Sequence, residues 1–146
     1  MWLSLSRLIL TATGFAAGTL YAVATTAGAG PVPGAERVTP VLAAPLADLP
    51  GRRLTAAVVD YAPGGLSLRH RHDGSVFAYV LSGSIESQNS ATGPLRIFRQ
   101  GQAFFEPVGS THTISRNASK TSPARLLAVF VAADNATLTR VLKGKP

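Results

Sequence analysis

The stretch GGLSLRHRHDG, residues 64–74, decides how this chain is read. It holds His70 and His72, two of the three histidines in the sequence, one residue apart behind alternating leucines. In a β-strand alternate side chains share a face. Leu66, Leu68, His70 and His72 therefore fall on one side, and Ser67, Arg69 and Arg71 on the other. The leucines mark their side as the buried one, which turns both imidazoles inward and leaves the arginines to solvent. Strand rise sets the two histidine Cα atoms about 7 Å apart, from where two ring nitrogens converge on one ion at about 2.0–2.2 Å each. A lone inward histidine is usually satisfied by a backbone carbonyl, whereas a pair on one apolar face points to a metal. The third histidine, His112, stands in GQAFFEPVGSTHTISRN at the start of another strand, with Ile114 on its face. A histidine cluster drawn from two strands is how a β-barrel builds a metal site.

The surroundings of the pair have the same texture. From Arg53 onward, short β-branched, aromatic and leucine runs alternate with turn clusters every eight to twelve residues. Strands are read near 54–61, 66–72, 76–82, 84–89, 95–99, 102–106, 111–116 and 125–132, which argues for an all-β sandwich or barrel. Only the tail, Ala136 to Leu142, reads as a short helix. Upstream, prolines at 31, 33, 40, 45 and 50 preclude a regular helix. Residues 25–52 thus form an extended Pro/Ala/Gly-rich arm, which either lies along the domain or adds an edge strand in a dimer. The organisation expected is a leader over 1–24, this arm, a barrel over 53–132, and a C-terminal tail or short helix over 133–146.

The leader reading rests on Arg7, the apolar run from Leu8 to Val23, and Ala22-Val23-Ala24, which fits a signal-peptidase site. An exported, periplasmic protein is expected, or a membrane-anchored one if the leader stays uncleaved. The chain has no cysteine, so a metal would have to be held by histidine, carboxylate or water. Its 146 residues suffice for one compact domain. The formal charge of +7 comes mostly from scattered arginines with no basic run, which speaks for a solvated surface and against a nucleic-acid partner. The sequons at Asn117 and Asn135 are read as chance turn composition.

The spacing of the histidines resembles a known family. Gly64, five residues, His70-x-His72 and then Gly83 is similar to the first cupin motif, G-x5-H-x-H-x3-4-E-x6-G. Gly101, five residues, Pro107-x-Gly109, two residues and His112 is similar to the second, G-x5-P-x-G-x2-H-x3-N. The resemblance spans about residues 53–132, and FAYVLSGSIESQ looks like the small single-domain bacterial cupins of quercetin-dioxygenase type. It implies a jelly-roll β-barrel, a homodimer, and a metal held inside by His70, His72 and His112. Two positions depart from the pattern. Val76 and Phe77 stand where the first motif has its glutamate, and Arg116 stands where the second has asparagine, with Asn117 one residue late.

The missing glutamate leaves three readings. Three neutral imidazoles would leave a divalent ion its full +2 charge, which favours an anionic substrate and is the ligand set of several cupin dioxygenases. Glu106 could replace the ligand if strand parity turns Phe104 and Glu106 inward; the opposite parity makes it a solvated carboxylate. Without a tight metal, the barrel would be a binding or sensing module. The leading expectation is a mononuclear Fe(II) or Mn(II) oxygenase acting on a small anionic molecule, with Zn, Ni or Cu as other occupants. A non-catalytic binder and a metal-dependent isomerase or lyase are the alternatives. Glu106 and Tyr79 are the candidate catalytic residues, although core packing also accounts for Tyr79. Arg96 and Arg99 are candidates for the pocket mouth and Gln88 for its lining, while Phe77, Phe98, Phe104 and Phe130 read as barrel filling.

Overall fold

Each turn cluster in the sequence closes a hairpin or a corner, and the runs between them are strands. The computed structural model describes residues 36–143, so the leader and the first part of the arm lie outside the described residues. Within them eleven strands follow in chain order: β1 Glu36–Pro45, β2 Arg52–Tyr61, β3 Leu66–Ser67, β4 His70–Arg71, β5 Gly74–Ser82, β6 Ser84–Asn89, β7 Arg96–Arg99, β8 Ala103–Glu106, β9 Thr111–Asn117, β10 Ala124–Ala133 and β11 Arg140–Val141. They form two antiparallel sheets, ordered β1-β2-β10-β5-β8 and β11-β4-β9-β6-β7, with β3 also on β9. Strands distant in sequence lie side by side and two sheets face one another, which is a jelly roll. Among the described residues no helix is long and apolar enough to cross a membrane.

Period-two burial fixes the core. In β5 Val76, Ala78 and Val80 point in, in β10 Leu126, Ala128 and Phe130 do, and Tyr61 and Ile85 join them. The sheet of β5 and β8 is apolar outside as well, where Phe77, Tyr79 and Phe105 stay exposed. Phe77 is therefore not barrel filling as the sequence suggested, because the phase set by Val76 and Ala78 turns it out. Phe98, Phe104 and Phe130 do pack in or against the core.

The described parts of the arm and of the tail each contribute a strand. β1 pairs along β2 within the same chain, with a bulge between Pro40 and Leu42. Its edge position suits Pro40, since an edge strand can spare an amide donor. The short helix expected over Ala136–Leu142 is absent: this stretch turns and enters β11, which pairs with β4. Tertiary pairing overrides a weak local preference here.

In the other sheet the inward phase shifts within β9, and this helps place the site. In β9 the inward residues are His112, Ser115 and Asn117, because one extra residue is accommodated opposite β6 between Gln88 and Asn89. Ile114 therefore does not share the face of His112, as strict alternation had implied. The same shift turns Asn117 inward where an unbulged strand would present residue 116. Asn117 donates to the carbonyls of Ala62 (3.0 Å) and Ser122 (2.7 Å) and accepts from the amide of Ser119 (2.8 Å). Its sequon is thus a buried clamp. We expect Asn117→Ala to destabilise the fold by about 2–3 kcal/mol in urea titration, since it orphans three backbone groups. A loss below about 0.5 kcal/mol would show the clamp to be idle.

Candidate metal centre

The histidine pair points inward, though not for the reason that the sequence offered. Leu66 and Leu68 are 43% and 64% exposed, while Ser67 turns in and His70 and His72 are buried. The strand breaks at Leu68 and Arg69, and its phase flips there. β9 flips at the same level, so the ladder stays in register: Ser67 pairs with Ser115, and His70 with His112. The leucines therefore mark the outer face, and the two phase errors cancel at the histidines.

Glu106 completes the cluster. Phe104 and Glu106 face inward and Phe105 outward, the parity that the sequence left open. Its partner across the β5–β8 ladder is Val76, the residue that occupies the glutamate position of the first motif. The carboxylate has thus moved one strand sideways and still reaches the same space. The ligand atoms that His70, His72, Glu106 and His112 can offer all lie within 4.8 Å of one another, and all four residues are buried. The His70 ring centroid is 4.8 Å from that of His72 and 5.1 Å from that of His112.

Backbone carbonyls set the tautomers. His70 Nδ1 donates to Leu68 O and His72 Nδ1 to Leu138 O, each at 2.6 Å. Both Nε2 lone pairs are thereby left for the centre, the arrangement usual for metal-ligating histidines. Glu106 Oε2 lies 3.0 Å from His112 Nδ1 and 3.8 Å from His72 Nε2. Ser87 meets His112 Nε2 at 2.8 Å, and Asn89 donates to Glu106 at 3.3 Å.

Burial would push the Glu106 carboxyl up, but the hydrogen bond from His112 and the three neighbouring imidazoles outweigh it and hold the group below the ordinary carboxylate range. Burial pushes His70 down to about 4, against the opposing Leu68 hydrogen bond and with help from the other two histidines. His70 is consequently a neutral imidazole at pH 7, the form that can ligate. The donor set fits a divalent transition metal: three imidazoles and one carboxylate, each with a second hydrogen-bond partner, at the edge of a cavity of about 320 Å³. The cavity walls are otherwise largely apolar, from Val59, Val76, Leu126 and Phe130 among others.

The other candidates lie elsewhere. Tyr79 is 38% exposed on the outer face of β5, turned out by the same alternation that buries Ala78, and has no place in the cavity. Arg96 stacks over Phe98 at 5.0 Å and Arg99 is exposed; neither lines the cavity. Gln88 also faces away, because β6 points Ile85, Ser87 and Asn89 inward. Ser87 and Asn89, which the sequence reading passed over, were legible from the parity of Ile85. The Leu138 carbonyl was hidden by the expectation of a helix.

Comparison with known proteins agrees with this construction. Residues 57–130, half of the chain, match the family model described as the cupin domain, and the chain belongs to the cupin family. A Thermus thermophilus protein, TT1209, is 28% identical with a TM-score of 0.54, over 70% of this chain and 87% of its own. A Klebsiella pneumoniae protein with a double-stranded β-helix domain is 22% identical with a TM-score of 0.59, over 79% and 90%, and supports the fold. An oxalate oxidase in complex with the substrate analogue glycolate is 25% identical with a TM-score of 0.57; 73% of this chain aligns to 55% of it. Among curated proteins no sequence match was found.

Proposed function

We propose that this cupin is a divalent-metal oxidoreductase of the oxygenase type, with Fe(II) or Mn(II) held by His70, His72, Glu106 and His112, acting on a small anionic molecule. The observation that carries the reading is the convergence of four buried donors within 4.8 Å beside a cavity of about 320 Å³. A mixed imidazole and carboxylate set is the kind that Fe(II) and Mn(II) occupy. A bound ion would supply a centre of net positive charge with positions left for oxygen and substrate. The chain's own residues do the rest. Leu68 and Leu138 carbonyls orient two imidazoles, Ser87 and Asn89 hold His112 and Glu106, and the apolar walls exclude water. Glycolate in the neighbouring oxalate oxidase supports a small carboxylate as the ligand class. The test is oxygen uptake by the Fe(II)- or Mn(II)-loaded protein against a panel of small carboxylic acids; loaded protein that consumes no oxygen with any of them overturns the oxygenase reading.

The cross-strand placement of Glu106 gives a sharper prediction for the ligand set. Glu106→Val should weaken metal binding by roughly 10–100-fold or more, the range set by lesser perturbations of metal sites. Adding Val76→Glu should restore most of it, because residues 76 and 106 are direct partners and face the same space. Isothermal titration with Mn(II) checks both variants. An unrescued double variant would mean that the backbone of β5 cannot present a carboxylate to the centre.

A further inference from the structure

The cavity has a second polar end that the metal reading does not use. Glu36 and Tyr61 are direct partners across the β1–β2 ladder, and Ser67 and Ser115 are partners across β3–β9 on the opposite sheet. The four side chains meet at one end of the cavity, where Tyr61 and Ser115 are buried, Ser67 is half-buried and Glu36, on the edge strand, stays exposed at the rim. Tyr61 Oη lies 2.6 Å from Ser67 Oγ and 2.9 Å from Ser115 Oγ, and Ser67 donates to the Glu36 carboxylate. Glu36, Tyr61 and Ser115 line the same cavity as His72, Glu106 and His112.

The carboxylate dictates the direction of this chain of hydroxyls. Glu36 as an anion only accepts, so Ser67 spends its one proton on it. Tyr61 must then donate to Ser67, and Ser115 to Tyr61. Burial pushes the Tyr61 phenol up to about 12, so its proton stays in place at neutral pH. Every donor is thereby turned toward Glu36, and what remains for a ligand in the cavity is acceptors: the carboxylate and hydroxyl lone pairs. Partial desolvation also lifts the Glu36 carboxyl, opposed by His112 and Tyr61, and a cation brought beside it would offset that penalty.

We infer that Glu36, with the Tyr61–Ser67–Ser115 chain behind it, is a specificity element that selects ligands carrying an oxyanion at one end and an ammonium donor at the other, that is, short ω-amino carboxylates. This rests on the metal reading for the oxyanion end, while the ammonium end rests on Glu36. A charge-assisted hydrogen bond at a partly desolvated carboxylate is expected to favour the amino compound by about tenfold or more over the same acid without the amine.

The test uses the full chain loaded with Co(II), whose visible bands report carboxylates entering the metal's surroundings. Propanoate, butanoate and pentanoate are titrated beside β-alanine, 4-aminobutanoate, 5-aminopentanoate and 4-hydroxybutanoate. The expected result is a preference of about tenfold or more for at least one amino acid over its parent acid, with the hydroxy acid between them. In Glu36→Gln that preference should collapse to within about twofold, whatever the parent acid's own affinity becomes. Cobalt bands that answer equally to both series, or a preference that survives in Glu36→Gln, overturn the inference and leave the metal centre standing. A chain that takes up no cobalt overturns the metal reading, and this inference with it.

Discussion

Mass-spectrometric metal analysis of a His70→Ala/His112→Ala variant should return background levels, where the wild-type chain carries about one divalent ion after reconstitution. The two residues are partners across β4 and β9, so removing both strips one wall of the centre and leaves only His72 and Glu106. Two donors hold a first-row ion far more weakly than four, and the loss should exceed the roughly 10–100-fold that outer partners of metal sites command. Neither histidine anchors the core cluster, so the variant should keep the far-ultraviolet circular dichroism of a β-sandwich. Metal content unchanged in a folded variant would place the ion elsewhere and end the four-donor reading.

The second large effect concerns the fold. Gly83, between β5 and β6, has φ of +72°, and a Cβ there would come within 2.8 Å of Pro123 O and 2.9 Å of Ala124 Cβ. A left-handed backbone costs an L-residue about 1–2 kcal/mol, most for a β-branched one. The neighbouring atoms are backbone and a Cβ at the entry to β10, so they cannot swing aside. Gly83→Val should therefore lose more than about 4 kcal/mol and approach unfolding. Gly64 supplies the contrast: its φ is +71° but nothing lies within 4 Å of a Cβ, so Gly64→Ala should cost only about 1–2 kcal/mol. Urea titration separates the two, and similar losses at both sites would show that strain rather than collision governs the corner.

Strand positions were legible because each run is bounded by turn residues, and all eight strand segments read from the sequence are found within a few residues, the 66–72 run as two short pieces. The three histidines were legible because their spacing is fixed by motif. Parity across irregular backbone was not. Alternation failed at Leu68–Arg69 and at Thr113, where a break and a bulge each reset the inward phase, and nothing in side-chain type announces either. Glu106 was ambiguous for a related reason: Phe104 and Phe105 are equally apolar, and only the ladder with β5 decides which is inside. Glu36 and Tyr61 could not be paired from sequence at all, since the arm's docking on β2 depends on long-range register.

The four donors are divided between the two faces of the sandwich. His70 and His112 belong to the sheet of β4 and β9, and Glu106 to the sheet of β5 and β8. An ion held by all of them is a fastening between layers that otherwise meet through side-chain packing. Whatever free energy the site gains from metal then appears as resistance to prising the layers apart, about 2.7 kcal/mol when free metal stands at a hundred times its dissociation constant. The cohesion of the two sheets would thus follow the metal supply around the chain, and scarcity would loosen the joint between them.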